Sequence, residues 1–173
     1  MNNKLLTVFR AGLIMAIIFV QAYAMGSTRP PMVKSAVDSA AVRKSVVNII
    51  NTVIKASSSF DISAVANLYT VNAVVADEEP PFSWNGPTAG VQWINTVEKT
   101  CKDLKIKEFH ARIGHINVYL QSDESIYVIV PVDYTGEAKG DPFDESGAFT
   151  FIFREVNGQW LIKSQTWVTK RGM

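Results

Sequence analysis

The apolar residues of this chain recur with a helical period of about 3.6 as far as Leu104 and alternate from Ile106 onward, so helices precede strands. In AVRKSVVNIINTVIKA, the residues Val42, Val46, Ile49, Ile50, Val53 and Ile54 share one face of a helix. SSSFD ends it. Asp61 is placed to cap a second short helix reaching Tyr69, with Phe60 and Val65 as the apolar pair that straddles the cap. NAVVADEE starts as a short buried strand that Pro80 and Pro81 close, because proline has no N–H to give a ladder. Gly86 and Pro87 then open a third helix, on which Val91, Ile94, Val97 and Cys101 share a face with Trp93 beside them.

The alternating part falls into four runs: IKEFHARIGHINVYLQ, SIYVIVPVDYTG, ESGAFTFIFREV and QWLIKSQTWVT. In the first, the apolar set is Phe109, Ala111 and Ile113, then Ile116, Val118 and Leu120; the change of parity places a bulge at Gly114, and a bulge bends a sheet. Asn157 and Gly158 join the last two runs as a two-residue hairpin turn. That turn pairs Phe153 with Ile162, Phe151 with Ser164 and Phe149 with Thr166 on one face. The other face then carries Ala148, Thr150, Ile152 and Arg154 opposite Leu161, Lys163, Gln165 and Trp167. The predicted fold is α+β, with three N-terminal helices packed in the concave face of a bent antiparallel sheet, a cone-shaped roll open at one end. The outward Ile152, Leu161 and Trp167 form an apolar patch, which predicts a homodimer through the outer sheet face with Trp167 near its centre.

Ahead of this domain the pattern is different. MNNKLLTVFR is a short basic start, AGLIMAIIFV an apolar run, and QAYA places Ala22 and Ala24 at the spacing a signal peptidase cuts. Residues 1–24 read as a cleavable signal peptide with cleavage after Ala24, 25–39 as a flexible tether, and 40–171 as the folded domain. The run is short for a bilayer span of about 20 residues, so no membrane attachment is expected after cleavage and the mature protein is expected to be secreted or periplasmic. Cys101 is the only cysteine, which excludes a disulfide within the chain. With 47% hydrophobic and 19% charged residues and a net charge of +1, of which Lys4 and Arg10 in the leader supply two positive charges, no basic surface for nucleic acid is indicated.

Candidate chemistry is sparse. The glycines sit singly, so neither a phosphate loop nor a nucleophile elbow is present. His110 and His115 flank the expected bulge without a third ligand nearby, and no metal or cofactor is expected. Tyr69, Trp84 and Trp93 around the mouth of the cone, Phe149 and Phe151 inside it, and Asp77, Ser164 and Thr166 as scattered polar groups have the make-up of a small-molecule pocket.

The order of elements, with FDISAVANLYTVNAVVAD, WNG opening a helix, ESGAFTFIFREVNGQWLIKS and the closing QTWVTK, resembles the nuclear transport factor 2-like superfamily in its SnoaL-like and ketosteroid isomerase-like bacterial branch, over about Ala40 to Lys170. The resemblance implies a role for Asp77, which matches the acid that takes a proton beside a carbonyl in the isomerases. Glu78 and Glu79 then point elsewhere, because strand residues alternate. It also implies what is missing. The isomerases' tyrosine on the first helix is Val53 here, their late-strand acid is absent, and the last-strand histidine of many relatives is Thr166. Without donors for a developing oxyanion, steroid isomerisation by that route is not expected. The expected function is binding of a small apolar or amphipathic ligand in the pocket; the alternative is a lyase, isomerase or hydrolase with Asp77 as general base.

Overall fold

The computed structural model describes residues 36–170. The expected signal peptide, its expected cleavage point after Ala24 and the expected tether as far as residue 35 lie outside the described residues. Helix α1 spans Ala36–Ser59, beginning inside the expected tether, and turns Val46, Ile50, Val53 and Ile54 fully into the core. Phe60 takes a left-handed conformation (φ 58°) and stops it. Asp61 caps the next turn, accepting from the N–H groups of Ser63 and Ala64.

The expected second helix is one 3₁₀ turn, Ile62–Val65. It has a single buried residue, Val65, to hold it down, and at Leu68 the chain is already captured by the sheet, its carbonyl accepting the N–H of Ile162 at 2.8 Å. Tyr69 therefore begins a strand. Helix α2 spans Ala89–Asp103 and buries Trp93, Ile94 and Cys101, as its apolar face requires. It starts two residues beyond Pro87, after Gly86 has made a left-handed turn (φ 89°) with its N–H on the carbonyl of Ala73. Two α-helices are thus present among the described residues, with α2 between strands rather than before them. Neither is long and apolar enough to cross a membrane.

The strands are β1 (Tyr69–Ala76), β2 (Ser83–Asn85), β3 (Ile106–Ile113), β4 (Val118–Gln121), β5 (Ser125–Ala138), β6 (Asp141–Val156) and β7 (Gln159–Thr169). They form one curved sheet in the order β2-β1-β7-β6-β5-β3, with β4 also paired to β5. The sheet is mixed, not antiparallel throughout, because β1 runs parallel to β7. Strands β3 and β4 pair with opposite halves of β5 as one interrupted strand. The interruption falls at Gly114, where a Cβ would stand 2.9 Å from Pro131. It does not reverse the parity: Tyr119 rejoins opposite the inward Val128, while Leu120 is 63% exposed. The irregularity that does bend β3 lies between Lys107 and His110, at the left-handed Glu108.

The hairpin register holds only next to its turn. Phe153 pairs with Ile162, but the next pair is Ile152 with Ser164, so Lys163 is an extra residue in β7 and the facing of everything beyond it is exchanged. Phe151 meets Gln165, Thr150 meets Thr166, and Phe149 meets Trp167. Gln165 and Trp167 turn inward; Ser164 and Thr166 share the outer face with Ile152 and Thr150. Trp167 finds its place against Phe149 (ring centroids 4.8 Å apart) and edge-on to Tyr134 (5.5 Å), in space that Gly147 leaves open. It cannot be the centre of an outer-face contact.

On the concave face the register stacks inward residues in rows: Ile126, Phe153 and Ile162; then Val128, Phe151 and Gln165; then Val130, Phe149 and Trp167; and beyond them Val132 and Tyr134. The first row is filled solid. The last two border a cavity.

Candidate functional site

A cavity of about 140 Å³ opens between the C-terminal half of α2, the start of β3 and the far rows of β5, β6 and β7. Six of the side chains on its wall are rings: Trp93, Phe109, Tyr134, Phe143, Phe149 and Trp167. Four carboxylates, Asp77, Glu78, Glu79 and Glu145, also line it. Because Ala76 is the last residue of β1 to pair with β7, opposite Thr166, the next residue, Asp77, leaves the sheet beside Trp167. The two prolines then turn the chain back, with the N–H of Asp77 on the carbonyl of Phe82.

Two bonds fix the Asp77 carboxylate. Its Oδ2 accepts the indole N–H of Trp93 at 2.6 Å, and its Oδ1 accepts the backbone N–H of Glu79 at 3.3 Å. Trp93 is itself held edge-on to Phe149, 5.6 Å between centroids. Burial pushes the Asp77 pKa up, the hydrogen bonds from Trp93 and from the backbone of Glu79 and Glu78 pull it back, and the charge of Glu78 adds to the rise; the net direction is upward. Glu78 and Glu79 are exposed.

Across the cavity, Tyr134 stacks on Phe109 at 5.1 Å, and its hydroxyl lies 2.8 Å from that of the fully buried Ser57 on α1. Burial drives its pKa far above the ordinary tyrosine value, against a smaller downward effect from Ser57. The Cys101 thiol is buried at the α2 wall and, by desolvation and then the charge of Glu98, pushed up to about 11. A thiol held protonated in this way is a poor nucleophile.

Of the residues expected at a pocket, Asp77, Trp93 and Phe149 meet at this cavity. Tyr69, Trp84 and Phe151 are buried in the core and form no part of its wall. Tyr69 packs its ring against Gly90 and donates to Gln165 Oε1 at 2.7 Å. Ser164 and Thr166 lie on the opposite face of the sheet. His110 and His115 are exposed, and no group of three metal-binding side chains gathers among the described residues. Sequence reasoning misses Tyr134, Ser57, Phe109 and Trp167 as parts of the site. Tyr134 continues the inward parity of Ile126, Val128, Val130 and Val132, and Ser57 lies one turn beyond Val53, so the pattern holds a signal for both. It holds none for Trp167, because the bulge at Lys163 leaves no mark on the alternation.

No family model matches the sequence, and no curated protein sequence does. Solved structures match well in shape. The hexachlorocyclohexane dehydrochlorinase LinA-type3 from Novosphingobium barchaimii superposes with a TM-score of 0.69 at 14% identity, covering 79% of this chain and 91% of that one. A putative scytalone dehydratase from Novosphingobium aromaticivorans gives 0.60 at 14% identity over 76% and 86%. A nuclear transport factor 2-like superfamily protein from Salmonella enterica serovar Typhimurium gives 0.63 at 12% identity over 76% and 92%. At such identities the likeness is one of fold, and the chain has the nuclear transport factor 2-like fold.

Proposed function

We propose that the protein binds a small, largely apolar molecule in this cavity and that Asp77 acts on it as a general base, in an elimination or an isomerisation. One observation carries the reading: a carboxylate of raised proton affinity stands on the wall of an aromatic cavity, with an indole N–H fixing one of its oxygens. A cavity of about 150 Å³ takes a benzene-sized molecule, which sets the scale at one ring. The names of two structural neighbours, a dehydrochlorinase and a dehydratase, denote eliminations, and the base fits that class. Binding without turnover is the second reading, favoured by Val53, which the resemblance places where the isomerase-like family carries a polar catalytic group.

Proton abstraction beside a carbonyl can be tested without the natural substrate. Cyclohexanone in D₂O should exchange its α-hydrogens faster with the protein than with buffer, followed by NMR, and Asp77→Asn should return exchange to the buffer rate. Exchange should rise with pH through a value above that of an ordinary aspartate, since the base is the ionised form. No exchange above buffer would remove the base and leave binding alone.

The same shift has a stability sign. The unfolded chain releases the Asp77 proton before the folded chain does, so stability declines as pH rises from about 4 through the raised value. Asp77→Asn should abolish that decline and leave the melting temperature at neutral pH unchanged or higher. A sharp loss of stability would mark Asp77 as a cap of the β1–β2 turn.

Two further proposals concern the whole chain. Export with removal of residues 1–24 is supported by the basic start, the apolar run and QAYA. An intact mass beginning at Met25 would establish it. A homodimer through the outer sheet face is supported by the outward Ile152 and Leu161, with Thr150 and Thr166 beyond Ile152 and Trp167 absent from that face. Light scattering should give twice the chain mass, and Ile152→Lys should halve it.

A further inference from the structure

The buried hydroxyl of Ser57 touches two oxygens, the carbonyl of Ile54 at 2.7 Å and the hydroxyl of Tyr134 at 2.8 Å. A serine has one proton to give, and a carbonyl can only accept. When Ser57 donates to Ile54, the proton in the second contact comes from Tyr134. The tyrosine then has nothing to donate to the cavity whose wall it forms. The reverse arrangement is close in energy, because Ile54 lies within α1 and its carbonyl is already an acceptor in the helix ladder. Ser57 can turn its proton to Tyr134, and the Tyr134 proton becomes available to a molecule in the cavity.

We propose that Tyr134 donates a hydrogen bond to an acceptor oxygen on the ligand, and that Ser57 is the positioning residue whose hydroxyl reverses direction to release it. The natural ligand is thereby assigned to a chemical class: a single ring, or a molecule of that size, bearing a carbonyl or similar acceptor. This deepens the reading of Asp77 as a base and rests on it for the chemical step. Asp77 takes a proton from the carbon beside the carbonyl, the C–H electron pair becomes a carbon–carbon double bond, and the charge moved to the oxygen meets the Tyr134 O–H. Burial suits the tyrosine to this work by keeping it protonated. The donor lacking at Val53 is then supplied from β5, with α1 contributing through Ser57.

The test compares cyclohexanone with methylenecyclohexane, which has the same ring and no acceptor, by quenching of tryptophan fluorescence from Trp93 and Trp167. The Tyr134 bond should add roughly five- to tenfold to the affinity for the ketone relative to that for methylenecyclohexane, the worth of one hydrogen bond. Tyr134→Phe should remove that gain while leaving the affinity for methylenecyclohexane within about twofold, since the ring stack is kept. Ser57→Ala should give a smaller preference than the parent, because Tyr134 then donates without receiving a proton behind it. Asp77→Asn should lose α-hydrogen exchange and keep the ketone preference, so a failed base and a failed donor give different results. An unchanged ratio of the two affinities in Tyr134→Phe, an equal loss of both included, or binding of neither probe by the parent would overturn the proposal. Should Tyr134→Phe not fold, the infrared carbonyl stretch of bound cyclohexanone in the unmutated protein decides: a shift below its position in hexane is expected, and no shift overturns the donor.

Discussion

The two ends of the concave sheet face use the same three strands and the same alternation, yet one is filled and the other is hollow. Near the hairpin turn, Ile126, Phe153 and Ile162 have no exposed surface and no polar atoms in their side chains. At the far end, Phe149, Trp167 and Tyr134 meet at tilted or edge-on angles, with Trp93 edge-on to Phe149 as well. Branched and flexible chains can interdigitate to crystal-like density; large flat rings held at such angles leave space between them. That space is also where polar tips are tolerated: an indole N–H on a carboxylate, a phenol on a serine. The row between the two ends is intermediate, with Gln165 fully buried on Tyr69 and its Nε2 lacking a partner. The site is thus the part of the core that the sequence leaves incompletely packed.

If this contrast is right, damage at the filled end should act on stability and damage at the hollow end on chemistry. Phe153→Ala should have the largest effect, a loss of about 3–5 kcal/mol in urea unfolding, while the folded fraction keeps its ketone exchange per molecule. Exchange falling in proportion to stability would break the contrast. Gly147→Ala comes next. Its Cβ would stand 2.5 Å from the Val168 carbonyl and 2.6 Å from the Trp167 ring, so the ring must move, at about 1–3 kcal/mol and with weaker ligand binding. An unchanged cavity affinity would mean that Trp167 does not shape the wall. Trp93→Phe should be the mildest, about 1 kcal/mol, because most of the packing remains. It removes the bond that lowers the Asp77 pKa, so the pH profile of exchange should move to higher pH. A profile that stays put would assign the ionisation to another group.

The parts of this architecture that are legible in the sequence are those set by periodicity within one element. The buried faces of α1 and α2 follow from the spacing of Val46, Ile50 and Val53 and of Trp93, Ile94 and Cys101. The Asn157–Gly158 turn correctly pairs Phe153 with Ile162. Asp77, Trp93 and Phe149 are recoverable as pocket residues because strand ends and helix faces locate them. The illegible parts depend on one element's demand on another. The expected second helix stops after one turn because β7 captures the chain at Leu68, a contact between elements distant in sequence. Ser57 and Tyr134 sit at readable positions, but their meeting across 77 residues of chain is a property of the fold.

The extra residue in β7 also bears on descent. Removing Lys163 would leave Ile162, Gln165 and Trp167 on their present sides in an unbroken alternation, whereas adding a residue between Gln165 and Trp167 would turn the tryptophan out. The strand therefore accommodates one extra residue without losing its wall, and Lys163 reaches the carbonyl of Asn72 with its ammonium group at 2.6 Å. Lineages that kept and lineages that never gained this residue would share a backbone while their sequences run one position out of step from there to the C-terminus. Ancestry in such a case survives in the shape of the sheet after residue-by-residue alignment has lost it.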